Sequence, residues 1–242
     1  QTNSFGASLL KLAMYSLEDK YKEINQAAVQ AVRKAVNEKA IVAASIGPCG
    51  RLLKPYGDTE HGEILESYKN QIQVLVDAGI DMLTIETMTD MEEAKLAISA
   101  ARVVSDSIPI AATMTFDPTP KGFYTIMGVN IETAARELEQ AGADIVGSNC
   151  GNGIEIMIDI AREFKKFASR PILIQPNAGL PEMVGDKATY KESPEFMADK
   201  AKEFLEIGVS IIGGCCGTTP AHIAAMRKTI DSYGRRNKQS LT

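Results

Sequence analysis

Asp77-Ala78-Gly79-Ile80-Asp81 takes the chain out of an amphipathic stretch, Ile64–Asp77, and directly into the apolar run Met82–Thr87. A glycine just past the last periodic residue marks a helix end, because it accepts the left-handed backbone that closes the final turn. The same junction recurs as Gln140-Ala141-Gly142-Ala143-Asp144 and as Glu206-Ile207-Gly208-Val209-Ser210. The three glycines stand 63 and 66 residues apart, with one further apolar run inside each interval. Two strand–helix units per interval means about 32 residues per unit, the size of a βα repeat.

Outward from these junctions the pattern covers the chain. Apolar, β-rich runs at Ala40–Ile46, Met82–Thr87, Ile108–Phe116, Asp144–Asn149, Pro171–Pro176 and Val209–Gly213 show no inside/outside alternation. Strands buried on both faces of a parallel sheet read in this way. Amphipathic segments separate them: Tyr21–Val36, Ile64–Asp77, Met91–Val103, Glu132–Gln140, Ile156–Phe167 and Phe196–Glu206. Thr89-x-x-Glu92 has the form of a capping box, and Thr219-Pro220 sets a cap before a proline at the first helical position. No GxGxxG or GxxxxGK[ST] turn is present, so a nucleotide-binding doubly wound sheet is disfavoured. The spacing predicts an α/β chain of the (β/α)8 TIM-barrel type, with active groups at the C-terminal ends of its strands.

Composition narrows the function classes. Twenty-six basic against 31 acidic residues give a net charge of −5, which argues against a nucleic-acid partner. Hydrophobic residues make up 45% and charged residues 24% of the 242, the balance of a globular chain with no apolar run of about 18 residues to span a membrane. A core of this size needs no disulfide staples, so the four cysteines are free for other chemistry.

Seven or eight residues beyond each junction glycine stand Glu86, Cys150 and Cys215, on every second strand of the predicted barrel. With Cys216 adjacent, three thiols converge from two strands. Buried small hydrophobes are one reading. A Cys215–Cys216 redox pair is a second, although vicinal bridging distorts the intervening peptide and no C-x-x-C is present. An open zinc site is the third: zinc takes thiolates in a tetrahedron and in catalytic centres keeps three protein ligands and one open position. Gly213, Gly214 and Gly217 would let both adjacent sulfurs turn toward one ion. Cys49, in Gly47-Pro48-Cys49-Gly50, reads as a non-ligand, since three thiols already fill the protein's share of such a site. His61 and His222 form no metal-spaced pair and read as surface or capping residues. Met88 and Met114 read as core filling, and Lys165-Lys166 and Arg235-Arg236 as solvated charge runs.

Asn149-Cys150-Gly151, Gln175-Pro176-Asn177-Ala178-Gly179, the run Gly213-Gly214-Cys215-Cys216-Gly217-Thr218-Thr219-Pro220 and the opening Thr2-Asn3-Ser4-Phe5-Gly6-Ala7 resemble, in order and over essentially the whole chain, the homocysteine S-methyltransferase domain family. That family includes the zinc domain of cobalamin-dependent methionine synthases and the betaine and S-methylmethionine enzymes. The resemblance implies a zinc-dependent barrel that binds homocysteine as thiolate and methylates it to methionine. One Zn2+ would be held by Cys150, Cys215 and Cys216, with the substrate sulfur as fourth ligand. A free thiol is only a few per cent thiolate at neutral pH, and coordination deprotonates it.

Glu86, Asn177, Asn3 and Ser45 are the candidate substrate-binding residues. A rim carboxylate at Glu86 suits the ammonium group; Asn177 would touch substrate or fill the vacant zinc position, its competing role being a turn-forming Asn. Methyl donors of two kinds fit the family. One is a methyl-corrinoid/methyltetrahydrofolate system, with methylcobalamin carried on a separate domain or protein because no D-x-H-x-x-G motif is present. The other is direct transfer from S-methylmethionine or betaine. A non-catalytic zinc-binding barrel module is the alternative from another class. The chain divides on this reading into a homocysteine-binding zinc barrel over 1–233 and a polar tail over 234–242. Its six runs and a strand stub at Gln1–Phe5 correspond to a barrel lacking its first strand and helix, hence to a piece of a longer protein. Reduced thiols, the acidic pI near 5.3 and the lack of a targeting segment point to the cytoplasm.

Overall fold

The computed structural model describes residues 1–239, with side chains to Gly234. Two compact units make up the chain. The first comprises Gln1–Thr113 with Glu137–Ile145, the second Met114–Arg136 with the residues from Val146 onward.

In the first unit α1 (Leu9–Ala13) and α2 (Tyr21–Val36) precede β1 (Ala43–Ile46), α3 (His61–Asp77), β2 (Met82–Met88), α4 (Met91–Val104) and β3 (Ile110–Met114), whose last residue passes to the second unit. β1 and β2 pair in parallel, Ala43 opposite Met82 and Ile46 opposite Ile85, and Leu83 N–H reaches Pro109 O on the far side of β2. Ile46, Leu83 and Ile85 are fully buried against Ile64, Ile72, Leu75 and Ile98 of the helices. Most apolar runs overrun their strands, Ala40–Ile46 starting three residues before β1, while Met82–Thr87 ends one residue short of the end of β2.

The second unit holds a hairpin of β4 (Asp117–Thr119) and β5 (Gly122–Tyr124), then α5 (Ile131–Ala141), which runs into the first unit. β6 (Ile145–Asn149), α6 (Ile154–Phe167) and β7 (Ile172–Gln175) follow. A second hairpin of β8 (Glu182–Val184) and β9 (Lys187–Thr189) precedes α7 (Pro194–Ile207), β10 (Ile211–Ile212) and α8 (Pro220–Gln239). β7 lies between β6 and β10, parallel to both. Phe116 and Phe164 meet edge to face, ring centres 5.7 Å apart, in its core. The predicted strand–helix alternation is present as six strands of the repeating kind; the two exposed hairpins carry no apolar run and were not legible as strands.

The junction glycines adopt left-handed backbone, with φ of +86° at Gly79, +108° at Gly142 and +88° at Gly208. An arginine from the preceding helix seals each of the first two. Arg102 of α4 donates to Gly142 O and pairs with Asp144 at 2.7 Å, while Asp144 also accepts Ile110 N–H at 2.9 Å. Arg33 of α2 does the same to Gly79 O and Asp81, and Asp81 accepts Val42 N–H. The Gly-x-Asp repeat is therefore a clamp that ties helix end, strand start and neighbouring strand together.

Three expectations change. The cap of α4 is Asp90, whose carboxylate accepts Glu92 N–H at 2.9 Å, in place of Thr89. Gln1–Phe5 is no regular strand: it lies along β1 through Thr2 N–H to Ala43 O and Gly47 N–H to Phe5 O, while Thr2 and Ser4 hydroxyls take Ser45 N–H and Ser45 O between them. The segment read as a polar tail over 234–242 continues α8 through Gln239; its last three residues, and the side chains of Arg235-Arg236, lie outside the described residues.

Candidate metal and thiol-binding site

β6 and β7 run in register from Val146 opposite Ile172 to Asn149 opposite Gln175, so both strands end at one level. Beyond them the chain turns sharply. Cys150 sits at φ +62°, a left-handed conformation that costs a non-glycine residue about 1 kcal/mol or more, and it holds there because Cys150 N–H donates to Gln175 O at 3.0 Å. On the other arm Gly213 N–H donates to Ile174 O and Cys215 N–H to Pro176 O, which extends the β7–β10 pairing past both strand ends. Gly217, at φ +77°, then reverses the chain beneath Tyr190, whose Cγ lies 2.1 Å from where a Cβ would stand. Of the three glycines expected to free this turn, Gly217 alone uses left-handed backbone.

The result brings together three residues up to 66 positions apart. The sulfurs of Cys150, Cys215 and Cys216 all lie within 4.8 Å of one another, with Cys150 Sγ and Cys216 Sγ 3.7 Å apart. A tetrahedron with metal–sulfur bonds of about 2.3 Å has sulfur–sulfur edges of about 3.8 Å, so the cluster fits a tetrahedral thiophilic dication. Its electrostatics ask for one. Hydrogen bonding from the Cys215 thiol pulls Cys150 down to about 5 against the opposing effect of burial, with Gly151 N–H, Cys216 and Asn177 assisting. The Cys215 thiol is pushed up, first by its bond to Cys150, and the Cys216 thiol is pushed up, first by burial and then by the Cys150 charge. Three thiolates at this separation repel, and a dication is what lets them coexist.

Buried carboxamides hold the sulfurs in place. Asn177 Oδ1 accepts Cys216 N–H at 3.0 Å, and its backbone N–H donates to Asn152 O at 3.0 Å beyond Cys150, so it bridges the two arms. Asn149 Nδ2 reaches Cys215 Sγ at 3.8 Å, and Asn149 O accepts the Thr115 hydroxyl. Asn149 carried no expected role, and Asn177, a candidate substrate-binding residue, also braces the Cys216 turn. Tyr190, which hydrogen-bonds Cys216, and Glu192 were missed because they lie in the connection between β7 and α7, where no periodicity marks them.

Of the remaining residues, Glu86, Ser45, Asn3, Cys49, Met88 and His61 belong to the first unit, Met114 and His222 to the second. Glu86, 8% exposed at the end of β2, accepts the Ser45 hydroxyl on Oε1. Thr87 beside it has φ +62°, strain that a β-branched residue seldom carries. Asn3 is exposed between the buried Thr2 and Ser4. Cys49 is fully buried, with its N–H on Glu93 Oε1 at 2.7 Å, and the same oxygen accepts the Tyr68 hydroxyl. Burial, reinforced by Glu93, pushes its thiol up to about 12. Met88 and Met114 are fully buried core residues, and His61 is exposed at the start of α3. His222 is 6% exposed and caps α8: Nδ1 accepts Thr219 N–H at 3.1 Å and Nε2 donates to Glu192 O at 2.9 Å.

Strand–helix repeats that gather three thiols beyond β6 and β10, one on either side of β7, define an α/β chain with a candidate thiol and metal-binding site. Residues 1–230 match the family model for homocysteine S-methyltransferase, and the chain belongs to that family. It is 31% identical to the methionine synthase of Mycobacterium tuberculosis over 250 residues and 31% identical to that of Mycobacterium leprae over 257. These alignments take in 99% and 100% of this chain and 21% of each relative, so the chain spans about a fifth of their length. Among solved structures, the homocysteine methyltransferase MmuM of Escherichia coli superposes with a TM-score of 0.74 in its oxidized form at 22% identity and 0.74 in its metallated form at 21%. Each covers 94% of this chain and 77% of the other, which shows a shared fold.

Proposed function

We propose that this chain activates homocysteine for methylation to methionine, with one zinc ion held by Cys150, Cys215 and Cys216. The observation that carries the reading is the trithiol cluster, whose 3.7 Å Cys150–Cys216 separation suits tetrahedral coordination. Zinc bound there would supply the positive charge that keeps a substrate thiol deprotonated at neutral pH. Cys150, Cys215 and Cys216 supply the soft donor set and leave one position open. Asn177 holds the Cys216 backbone, and Asn149 Nδ2 donates toward Cys215 Sγ at 3.8 Å. Glu86, oriented by Ser45, is proposed separately as the receptor of an ammonium group, on the evidence of its buried carboxylate and the strained Thr87 beside it.

The methionine synthase relatives favour a methyl-corrinoid/methyltetrahydrofolate system as donor, with the corrinoid on another domain or protein. X-ray absorption at the zinc edge tests the site and the acceptor together. Three sulfur neighbours are expected without homocysteine and four with it; a count that homocysteine leaves unchanged refutes the reading. Cys215→Ser is expected to lose both the metal and methionine formation. Turnover with S-methylmethionine and no corrinoid would overturn the choice of donor.

A further inference from the structure

Glu192 uses three of its polar groups on three different turns. Its carboxylate Oε2 accepts Ile154 N–H at 3.1 Å, at the start of α6 four residues beyond Cys150. Its N–H donates to Ala178 O at 3.0 Å, next to Asn177. Its carbonyl accepts His222 Nε2–H at 2.9 Å, and His222 in turn accepts Thr219 N–H just beyond the Cys215–Cys216 turn. Two glycines make room for this side chain: a Cβ on Gly153 would stand 2.2 Å from Glu192 Oε1, and one on Gly179 3.2 Å from Glu192 Cγ. Gly153 has an ordinary φ of −73°, so its lack of a side chain serves this approach and no backbone need.

We propose that Glu192 is a positioning residue for the trithiol centre, which ties the Cys150 turn, the Asn177 turn and the Cys215–Cys216 turn to each other. The proposal rests on the metal reading of those thiols. Backbone bonds join the turns beyond their strands, Cys215 N–H to Pro176 O, Asn177 N–H to Asn152 O and Ala178 N–H to Cys216 O, and Glu192 adds a side-chain tie from the start of α6 to the residues before α7. A tetrahedral centre tolerates little error in sulfur position, and groups that orient ligands from outside typically change metal affinity by about 10–100-fold. Glu192 supplies that restraint without touching a sulfur.

Cobalt(II) titration of the full chain, read by its thiolate-to-cobalt charge-transfer absorption, with zinc affinity measured by chelator competition, tests this. Glu192→Ala is expected to bind one equivalent about 10–100-fold more weakly with an altered charge-transfer band, at unchanged far-UV circular dichroism. Glu192→Gln keeps an oxygen acceptor for Ile154 N–H and is expected within about threefold of the unsubstituted chain. Gly153→Ala, which expels the carboxylate while retaining Glu192, is expected to reproduce the Glu192→Ala loss and serves if Glu192→Ala does not fold. Wild-type affinity and spectrum in either folded variant, with only a lowered melting temperature, would overturn the proposal and leave the metal reading intact. If the unsubstituted chain gives no thiolate-to-cobalt band, the metal reading falls and this proposal with it.

Discussion

At the scale of single residues, the four cysteines divide by environment. Cys49 is enclosed by Glu93, Tyr68 and its own loop, and a thiol held at about 12 is thiolate to roughly one part in ten thousand at pH 8. Cys150, Cys215 and Cys216 have solvent access and share one cluster. In the metal-free folded chain a thiol reagent at pH 8 should therefore titrate three cysteines, and the fourth only in denaturant. Fast reaction at four, located by peptide mapping to Cys49, would contradict the enclosed environment. That Cys49 stands apart follows in the sequence from the other three thiols already filling the protein's share of an open site. What protects it was not, because Glu93 and Tyr68 reach it from two helices.

At the scale of elements, the Gly-x-Asp clamps are the joints of the first unit. Arg102 is the better buried of the two arginines, 26% exposed against 37% for Arg33, and its bonds to Gly142 O and Asp144 are charge-assisted. Arg102→Ala should cost about 1–3 kcal/mol and Arg33→Ala under about 1, read from urea midpoints. Arg33, with Val42 N–H, holds the Asp81 carboxyl below its ordinary 3.8. The folded value is the lower one, so its small contribution is present above the unfolded pKa and lost as acidification carries the carboxyl through that folded value. Asp81→Asn should flatten the acid limb of the stability curve between these two values and leave stability well below the folded value nearly unchanged. The glycines of these clamps were visible as a repeat in the sequence. The arginines were not, since each lies about 40 residues from the junction it closes.

At the scale of the whole chain, metal binding is linked to folding, because the unfolded chain scatters the three thiols. At a free zinc concentration a hundredfold above the dissociation constant, linkage adds about 2.7 kcal/mol. For a chain of this length that corresponds to a rise in melting temperature of about 5–10 °C. Scanning fluorimetry with and without zinc should show the rise in the unsubstituted chain and lose it in Cys215→Ser. An equal rise in both would place the zinc elsewhere. No helix among the described residues is long and apolar enough to cross a membrane.

The sequence by itself determined the α/β repeat, the helix ends and the gathering of three cysteines at strand ends. These are properties of local period and of glycine caps, and they are written every few residues. Only the tertiary structure decided that Cys150 takes a left-handed turn, that Asn177 and Asn149 brace the sulfurs, that Thr87 is strained beside Glu86, and that Glu192 spans three turns. The features around the sulfurs depend on the register of β6 against β7 and β7 against β10, which pairs residues tens of positions apart. Nothing in a local pattern encodes that pairing, so the cysteines could be assembled from the sequence but the groups that aim them could not.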